Sequence, residues 1–442
     1  SSGGEMRARS TRRRALALTA AVAALTLSLS ACASGGAITL ELPEQTAAAF
    51  APDTQAALEA AVTHAMGAAA ASGAIVGVWA PWSGSWVAGL GTTSAGGETP
   101  VSTSMAFRAA DVTRPMVCDV LYGLAADGRV GLNDPVTKHA GGVPDLSNVT
   151  LVQLCNGTSG IGSYEPSLKA MWATNPDRVW DARDIASYGL GRARTSAPGE
   201  AFRDSDAGYV VLGIALENAT KSTAAELLNE YVFAPLALSN TLLPGAAPAA
   251  PAPGAMPGFQ IGRGETGAPG CAVMQDMTTL SSSIGFTDSG VVTTVNDLGR
   301  YMQALAAGSL LEAKSGGDKK STAGKLAAKR FKHPLAMAPD APAWYTSTGG
   351  VVQAGSLLGQ FGAMPGYMTA AYADPATGLV VVAVLNNSTA NPALVRDLAW
   401  QLAAIASKAP AASGETAPEF GLPWTAEQYG EEITALAVCQ PE

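Results

Sequence analysis

Hydrophobic and polar residues follow two different periods in the first part of the chain. Between Thr54 and Ala71 the apolar positions recur every three to four residues, which predicts an amphipathic helix. Two short apolar runs follow, Ala74 to Pro81 and Ser85 to Gly91, and a Trp-Ser-Gly turn signal joins them. These runs predict a β-hairpin that directly follows the helix.

The middle of the chain has helical spacing. Thr113 to Asp127 predicts a helix that the Asp127-Gly128 pair ends. Further helices are predicted around Leu151, around Ala182, from Ala207 to Asn218 and from Ala224 to Val232.

Two segments lack this apolar periodicity. Pro244 to Gly258 consists almost wholly of Ala, Pro and Gly, which predicts a surface loop with no packing of its own. Lys314 to Lys332 contains six lysines, and we expect a solvated loop there. Neither segment is expected to contribute to the core.

Strand patterns return near the end of the chain. Gly349 to Val384 alternates apolar runs with Gly and Asp-Pro turns, as antiparallel strands do. The last run, Leu379 to Leu385, precedes a predicted helix from Ala393 to Ala406. Strands at both chain ends with helices between them predict an α/β (α+β) fold. Its antiparallel sheet is built from both ends, with helices on its faces and an inserted helical lobe. Ligands usually bind in the cleft of such a fold.

The first residues have the pattern of an export signal rather than of a fold. Five arginines between Arg7 and Arg14 precede an apolar run, Ala15 to Leu29, which is too short for a permanent spanning helix. Leu29-Ser30-Ala31-Cys32 resembles a bacterial lipobox, although an ordinary cleavage site that contains Cys is the alternative. We therefore expect a tag remnant and lipoprotein signal peptide in residues 1–32, lipid attachment at Cys32 and a tether in residues 33–52. Export by the Sec or the twin-arginine route stays open.

Composition and charge narrow the classes of function. The chain is 48% hydrophobic and 14% charged, which is typical of a well-buried globular protein. A net charge of -9 argues against a nucleic-acid partner, because phosphate binding needs a basic surface. With the lipobox, the sequence predicts a protein that is lipid-anchored on the outer face of a bacterial cell membrane.

Four cysteines remain beyond Cys32. An even number of thiols outside the cytoplasm favours disulfides, and we expect Cys118 with Cys155 and Cys271 with Cys439. Three connectivities are possible, and buried free thiols are the alternative. Neither a C-x-x-C pair nor more than three His occur, so we expect no metal site and no cofactor.

Several short segments follow one another in the order and spacing of a known family. They are Phe107 to Arg114, Gly131 to Val136, Val149 to Gly160, Pro198 to Tyr209, Pro235-Leu236, Gly290 to Leu298 and Met364 to Tyr367. Together they resemble the serine β-lactamase and D-alanyl-D-alanine carboxypeptidase-like family, the penicillin-recognising serine hydrolases. The resemblance covers roughly residues 55 to 405. It implies a β-lactamase/transpeptidase-like domain, which we place at residues 53–410, with a C-terminal extension, residues 411–442, packed on it.

The sequence departs from this family at every catalytic motif. Where the family has Ser-x-x-Lys, this chain has Asp111 and Arg114, and where it has Tyr-x-Asn, the chain has Asp204-Ser205-Asp206. The third motif, Lys or His two residues before a Gly, is replaced by Gln360-Phe361-Gly362. Lys314-Ser315-Gly316 mimics that third motif, but we interpret it as a coincidence.

These substitutions remove the chemistry that the resemblance implies. The Arg114 guanidinium stays protonated, since its pKa lies above ~12, and it cannot accept a proton from a nucleophile. Loss of the nucleophile and its base costs on the order of 10⁶ in turnover, or ~8 kcal/mol of barrier. The sequence therefore predicts no competent catalytic residue.

We expect the altered positions to meet in one pocket. Its predicted residues are Asp111, Arg114, Asp204, Asp206, Gln360 and Gly362. The carboxylates and Arg114 form either a salt-bridge plug or, with a local charge near -2, a site for an amine-bearing ligand. Three classes of function stay open. The first is an inactive binding protein for peptidoglycan fragments or an envelope protein, the second an active hydrolase with non-standard residues, and the third a structural envelope component.

Overall fold

The computed structural model describes residues 39–142, 146–245, 254–266 and 269–441. The predicted signal peptide, which includes Cys32, and residues 33–38 of the predicted tether lie outside these ranges. Within them, no helix is long and apolar enough to cross a membrane.

Strands from the two ends of the chain form the main sheet. The strands are β1 (Gly73–Ala80), β2 (Gly84–Gly91), β3 (Phe107–Arg108), β4 (Phe259–Arg263), β5 (Pro269–Asp276), β6 (Val292–Thr293), β7 (Leu335–Ala336), β8 (Tyr345–Thr348), β9 (Val351–Ala354), β10 (Leu357–Met364), β11 (Tyr367–Ala373) and β12 (Val380–Leu385). The sheet order is β2-β1-β12-β11-β10-β9-β8-β7, and β1 pairs antiparallel with β12. The predicted fold class is confirmed: an antiparallel sheet is built from both chain ends.

Helices cover both faces of this sheet. The α-helices are α1 (Pro52–Ala69), α2 (Thr113–Ala126), α3 (Leu151–Cys155), α4 (Glu165–Thr174), α5 (Ala182–Leu190), α6 (Asp206–Thr220), α7 (Ala224–Leu228), α8 (Phe286–Ser289), α9 (Val295–Ala307), α10 (Ser309–Ser315), α11 (Thr322–Lys329), α12 (Ala393–Ser407) and α13 (Ala426–Ala435). In β12, Val381 belongs to the hydrophobic cluster that includes residues of α1 and α12, whereas Val382 belongs to the cluster that includes residues of α2 and α9. Because successive side chains point to opposite faces, a strand covered on both faces is apolar throughout.

Helix α2 lies at the centre of the molecule. Every residue from Thr113 to Ala125 is buried, between the sheet and the helical lobe that contains α3 to α8. A helix that is buried all round has no solvated polar face, which explains why this segment is mostly apolar and why its two charged residues, Arg114 and Asp119, both form ion pairs. Arg114 lies in the first turn of α2, and Asp111, in the turn that precedes the helix, lies against strand β10.

Disulfides join two pairs of distant elements. Cys118 of α2 is bonded to Cys155 of α3, and Cys271 of β5 is bonded to Cys439 near the chain end. These are the two pairings expected from the sequence. Near the C-terminus, the Trp424 ring stacks on Trp400 of α12 with centroids 5.2 Å apart, so this part of the chain packs on the domain.

The lysine-rich segment is not the solvated loop that its composition predicts. It contains the end of α10 and the whole of α11, and Ala323 and Arg330 are buried. Arg330 forms an ion pair with Asp119 of α2 and donates from Nη2 to the carbonyl of Pro115 at 3.0 Å. The composition of the segment did not predict this buried ion pair, because a single buried arginine cannot be distinguished from its exposed basic neighbours in the sequence.

The Ala-Pro-Gly segment also differs from its prediction at its C-terminal end. Residues 246–253 lie outside the described part of the chain, but Met256 is fully buried. Its amide donates to the Ala106 carbonyl at 2.9 Å, and its carbonyl accepts from the Tyr367 hydroxyl at 2.6 Å. The expectation of a loop without packing is therefore wrong at Met256, where one apolar side chain fills the core.

Candidate functional site

A cavity of about 360 Å³ opens between the edge of the sheet at β10 and the helical lobe. Six of its lining residues are those expected from the sequence: Asp111, Arg114, Asp204, Asp206, Gln360 and Gly362. The structure thus brings the altered catalytic positions together, although they come from segments up to about 250 residues apart in the chain.

Asp111 occupies a 3-10 turn, Ala110–Val112, that leads into α2. The preceding Ala110 has φ of +50°, a left-handed conformation that costs a residue with a Cβ atom free energy and that is held by the surrounding packing. On the opposite side, a Cβ atom at Gly362 would collide with the Asp111 carboxylate. Glycine at position 362 therefore allows the sheet edge to approach this carboxylate closely.

Arg114 is enclosed by carboxylates and does not face solvent. Its Nη1 lies 2.6 Å from Asp204, its Nε 2.8 Å from Asp288 and its Nη2 3.6 Å from Asp111. Its guanidinium also lies over the Tyr209 ring, 4.7 Å from the centroid. Burial disfavours the charge of Arg114, but the surrounding carboxylates hold its pKa well above its usual value.

Asp288 is a site residue that the sequence interpretation missed. It lies in α8, is 4% exposed, and accepts a hydrogen bond from the Tyr164 hydroxyl at 3.4 Å as well as the contact from Arg114. The one available signal was its position just before the Gly290 to Leu298 segment. The expected count of three carboxylates and a charge near -2 is therefore wrong, because Asp288 and Glu165 add two carboxylates to the lining and Lys169 adds a second cation.

Asp206 is held by backbone amides rather than by a cation. It begins α6, where Ser205 caps the helix, and its carboxylate accepts from the amides of Tyr164 at 2.7 Å and Glu165 at 3.0 Å. Burial, with the nearby charge of Asp288, raises the pKa of Asp206 to about 7. This group changes its protonation state near neutral pH.

Two further carboxyl groups of the cavity also resist ionisation. Burial raises the pKa of Asp111 well above its ordinary value, although Arg114 opposes the shift. Burial likewise raises the pKa of Asp288, again against the effect of Arg114. Asp204 is the most exposed of the carboxylates around Arg114: its side chain is 63% exposed and lies at the mouth of the cavity. One guanidinium therefore serves a cluster with more acidic groups than it can neutralise.

Gln360 contributes little free hydrogen-bonding capacity to the cavity. Its Nε2 donates to the Gly350 carbonyl at 3.2 Å, and its Oε1 accepts from the Phe361 amide at 3.1 Å. The remaining walls are largely aromatic or apolar, formed by Tyr164, Trp172, Phe202, Phe361, Met337 and Met364. This lining suits the apolar part of a ligand.

The serines and the lysine of the cavity do not form a nucleophile and base. Ser289 Oγ donates to the sulfur of Met364 at 3.1 Å, and Ser388 Oγ accepts from the Gly366 amide at 2.9 Å. Lys169 is 64% exposed and lies 3.7 Å from Glu165. Ser315 of the Lys-Ser-Gly sequence donates to the Glu312 carbonyl at the end of α10 and does not line the cavity. Among the described residues, no group of acidic, His or Cys side chains is arranged to hold a metal ion.

Comparison with known proteins places this geometry in a family. The model of the family described as Beta-lactamase matches residues 58–406. The D-alanyl-D-alanine-carboxypeptidase/endopeptidase AmpH of Escherichia coli K12 is 27% identical over 52% of this chain and 57% of its own length. Penicillin-binding protein 4* of Bacillus subtilis is 26% identical over 33% of the chain and 32% of its own length. The match thus spans little more than half of the first of these relatives and a third of the second.

Solved structures show the same fold. A D-stereospecific amidohydrolase from Streptomyces superposes with a TM-score of 0.64 and 23% identity, over 78% of this chain and 97% of that one. A D-amino acid amidase from Ochrobactrum anthropi superposes with a TM-score of 0.63 and 20% identity, over 77% and 93% of the two chains. Because the family model covers most of the chain, this protein belongs to the beta-lactamase family of serine hydrolases.

Proposed function

We propose that this protein is a catalytically silent member of its family that binds ligands at the bacterial cell envelope. The observation that carries the proposal is the enclosure of Arg114. A permanent cation occupies the position of the general base, and carboxylates hold it on three sides. Asp111, in the position of the nucleophile, has no amine beside it to take up and return a proton, since Lys169, the amine of the cavity lining, is exposed and lies beside Glu165.

Departure of the leaving group, the second half of an acyl-transfer reaction, is also hindered. Attack by the Asp111 carboxylate on an ester or amide would give a mixed anhydride, and the leaving group would need a proton from a group beside it. The nearest buried cation, Arg114, keeps its protons. Acyl transfer at Asp111 is therefore slower than in a Ser-Lys enzyme by on the order of 10⁶.

The surplus of carboxylates supports an amine-bearing ligand. Asp204 is exposed at the mouth, Asp111 is 21% exposed inside, and both share the single guanidinium of Arg114 with Asp288. An ammonium group that enters the cavity gains charge-assisted hydrogen bonds, while aromatic walls accommodate its apolar part. Peptidoglycan stem peptides carry amines and lie in the compartment that the lipobox predicts, so we propose them as ligands, with an envelope protein as the alternative partner.

A labelled penicillin tests the absence of acyl transfer. We expect no covalent adduct on a denaturing gel or by intact mass, while an active penicillin-binding protein in the same tube is labelled. A fluorophosphonate probe should give the same result. Stable labelling of this chain by either reagent, at any side chain, would show that the proposal is wrong.

Equilibrium binding tests the ligand. A stem peptide with a free diamino-acid amine should bind to the purified protein, and Asp206→Ala should weaken binding at least tenfold through loss of cavity charge. Asp184→Ala, which changes an exposed carboxylate of α5, is the matched control and should leave the affinity unchanged. Equal affinity for both variants, or for a peptide whose amine is acetylated, contradicts an ammonium site.

One observation favours a second candidate, an active hydrolase with non-standard residues. The pKa of Asp206, raised to about 7, would allow this carboxyl group to exchange protons near neutral pH. Relatives named as a carboxypeptidase and an amidase direct the assay toward D-amino acid amides and D-alanyl peptides. Turnover that Asp206→Ala abolishes would support this candidate over the silent binding protein.

A further inference from the structure

A basic helical hairpin stands out on the surface of an acidic protein. It consists of α10, α11 and the following residues to Lys332, and we call it the basic hairpin. Six of the ten lysines of the chain lie between Lys314 and Lys332, whereas the whole chain has a net charge of -9. Such a concentration of one charge gives this surface a field of opposite sign to that of the whole protein.

The inner face of the basic hairpin is buried, and its outer face is exposed. Leu311 and Ala323 are buried on its inner face, where Arg330 is fixed by Asp119. The outer face carries five exposed lysines: Lys319, Lys320, Lys325, Lys329 and Lys332. No acidic residue occurs between Lys319 and Lys332, and within the described ranges none of the five forms an ion pair. The outer face is therefore a rigid, unneutralised basic surface.

The helical spacing concentrates this charge further. Lys325 and Lys329 are four residues apart in α11 and share one side of that helix. Like charges at this spacing repel each other and destabilise a helix slightly. The anchor at Arg330 offsets that cost and holds both lysines outward.

The basic hairpin lies close to the place where the chain enters the described domain. The Leu40 carbonyl accepts from Arg300 at 3.4 Å and the Pro43 carbonyl from Gln303 at 2.7 Å, so the entering segment runs along α9. Helix α10 packs against α9, and α11 packs against α10. Packed elements lie about 8–10 Å apart, so the three packing steps from the entering segment to α11 span at most roughly 30 Å.

Chain length relates this distance to the predicted anchor. Cys32 precedes Thr39 by seven residues, and a fully extended chain of that length reaches ~25 Å. A lipid on Cys32 would therefore keep the domain within about that distance of the bilayer. Helix α10 of the basic hairpin packs against α9, and the entering segment runs along α9. The same bilayer surface is therefore within reach of both.

We propose that the basic hairpin docks on the anionic lipid headgroups of the membrane to which Cys32 anchors the chain. This inference rests on the predicted lipid attachment at Cys32. Each lysine near an anionic bilayer strengthens attachment on the order of fivefold, and the attraction declines within a Debye length. The anchor raises the local concentration of bilayer, so a few lysines suffice to hold one orientation of the domain.

Lysine acetylation on vesicles tests the docking with the lipidated full-length product. The protein is reconstituted in vesicles of phosphatidylcholine alone, or of phosphatidylcholine and phosphatidylglycerol in equal parts, and acetylation rates are read by mass spectrometry. In the anionic vesicles, we expect Lys325 and Lys329 to react at least tenfold more slowly than in neutral ones, with the difference lost at high salt. The exposed Lys221 and Lys408 are internal controls whose rates should not change.

A matched pair of variants assigns the effect to the hairpin. Lys325→Gln/Lys329→Gln should remove most of the protection of Lys319 and Lys332, since two lysines together strengthen attachment on the order of 25-fold. Lys221→Gln/Lys408→Gln carries the same change in net charge and should retain protection. Equal rates in both vesicles, or equal loss in both double variants, overturn the proposal, as does a soluble polyphosphate that protects the hairpin when vesicles do not.

Flotation separates this result from the anchoring on which it rests. A lipidated chain floats with neutral vesicles whether or not the hairpin docks, so flotation without protection contradicts docking alone. A chain that does not float with neutral vesicles has no anchor, and both statements then fail.

Discussion

Helix α2 carries two buried arginine–carboxylate clusters that differ in their balance of charge. Near its middle, Asp119 faces Arg330 and the hydroxyl of Tyr301, which donates to it at 2.6 Å, and all three groups are buried. At its start, Arg114 faces Asp111, Asp204 and Asp288 beside an open cavity. The first cluster, which we call the filled cluster, is neutral and buried, as expected of a structural ion pair. The second has surplus acid and space, which a ligand can use.

The largest predicted effect comes from breaking the filled cluster. Arg330→Met leaves Asp119 buried without its cation and also releases the Pro115 and Gly349 carbonyls that Arg330 binds. We expect a loss of about 3–5 kcal/mol in the free energy of unfolding at pH 7, measured by denaturant titration. A loss below 1 kcal/mol would mean that this ion pair does not hold the basic hairpin to α2.

The corresponding change in the cavity should cost less. In Arg114→Met the exposed Asp204 can be solvated when its cation is gone, and the buried Asp288, whose pKa is raised by burial, can take up a proton. We expect a loss of about 1–3 kcal/mol, smaller than that of Arg330→Met in the same titration. A larger loss than that of Arg330→Met would indicate that Arg114 is the more important structural anchor, and the contrast between the clusters would be reversed.

Protonation of Asp206 gives the cavity a pH dependence of its own. Its pKa is raised to about 7 in the folded protein, so it contributes stability below the unfolded value, and that contribution is lost as the pH rises toward 7. One proton corresponds to at most ~1.4 kcal/mol per pH unit. Between pH 5 and 7, Asp206→Asn should therefore show a flatter fall in stability than the wild type.

Asp184→Asn is the control for this pH series, because it removes a carboxyl group that is exposed on α5. Its stability should follow the wild-type curve. If Asp206→Asn follows that curve as well, Asp206 does not titrate in this range, and the acidic surplus of the cavity is smaller than its residues indicate.

The sequence predicted the cavity better than it predicted the filled cluster. Asp111, Arg114, Asp204 and Asp206 were located because they stand in segments whose order and spacing are characteristic of the family. The strands at both chain ends and helix α2 were recognisable from their apolar patterns, since burial on one or both faces leaves a period in the sequence.

Residues outside such patterns were missed for a physical reason. Asp288 has no motif, and its role depends on Arg114, 174 residues away in the chain. Arg330 occurs among lysines, so only the fold distinguishes the buried cation from the exposed ones. Tertiary packing determines which distant residue a side chain pairs with, and local composition does not encode that pairing.

The smallest predicted effect concerns a third charge pair on α2, at its C-terminal end. Lys314 lies 2.9 Å from Asp127, and their side chains are 34% and 38% exposed. Solvent screens this pair and side-chain entropy opposes it, so Lys314→Gln should cost no more than about 1 kcal/mol in the same denaturant titration. Comparable losses for Lys314→Gln and Arg330→Met would contradict the view that burial determines the strength of ion pairs along this helix. Stability losses that decrease from Arg330→Met through Arg114→Met to Lys314→Gln would instead show that the surplus acid in the cavity is retained at little cost in stability.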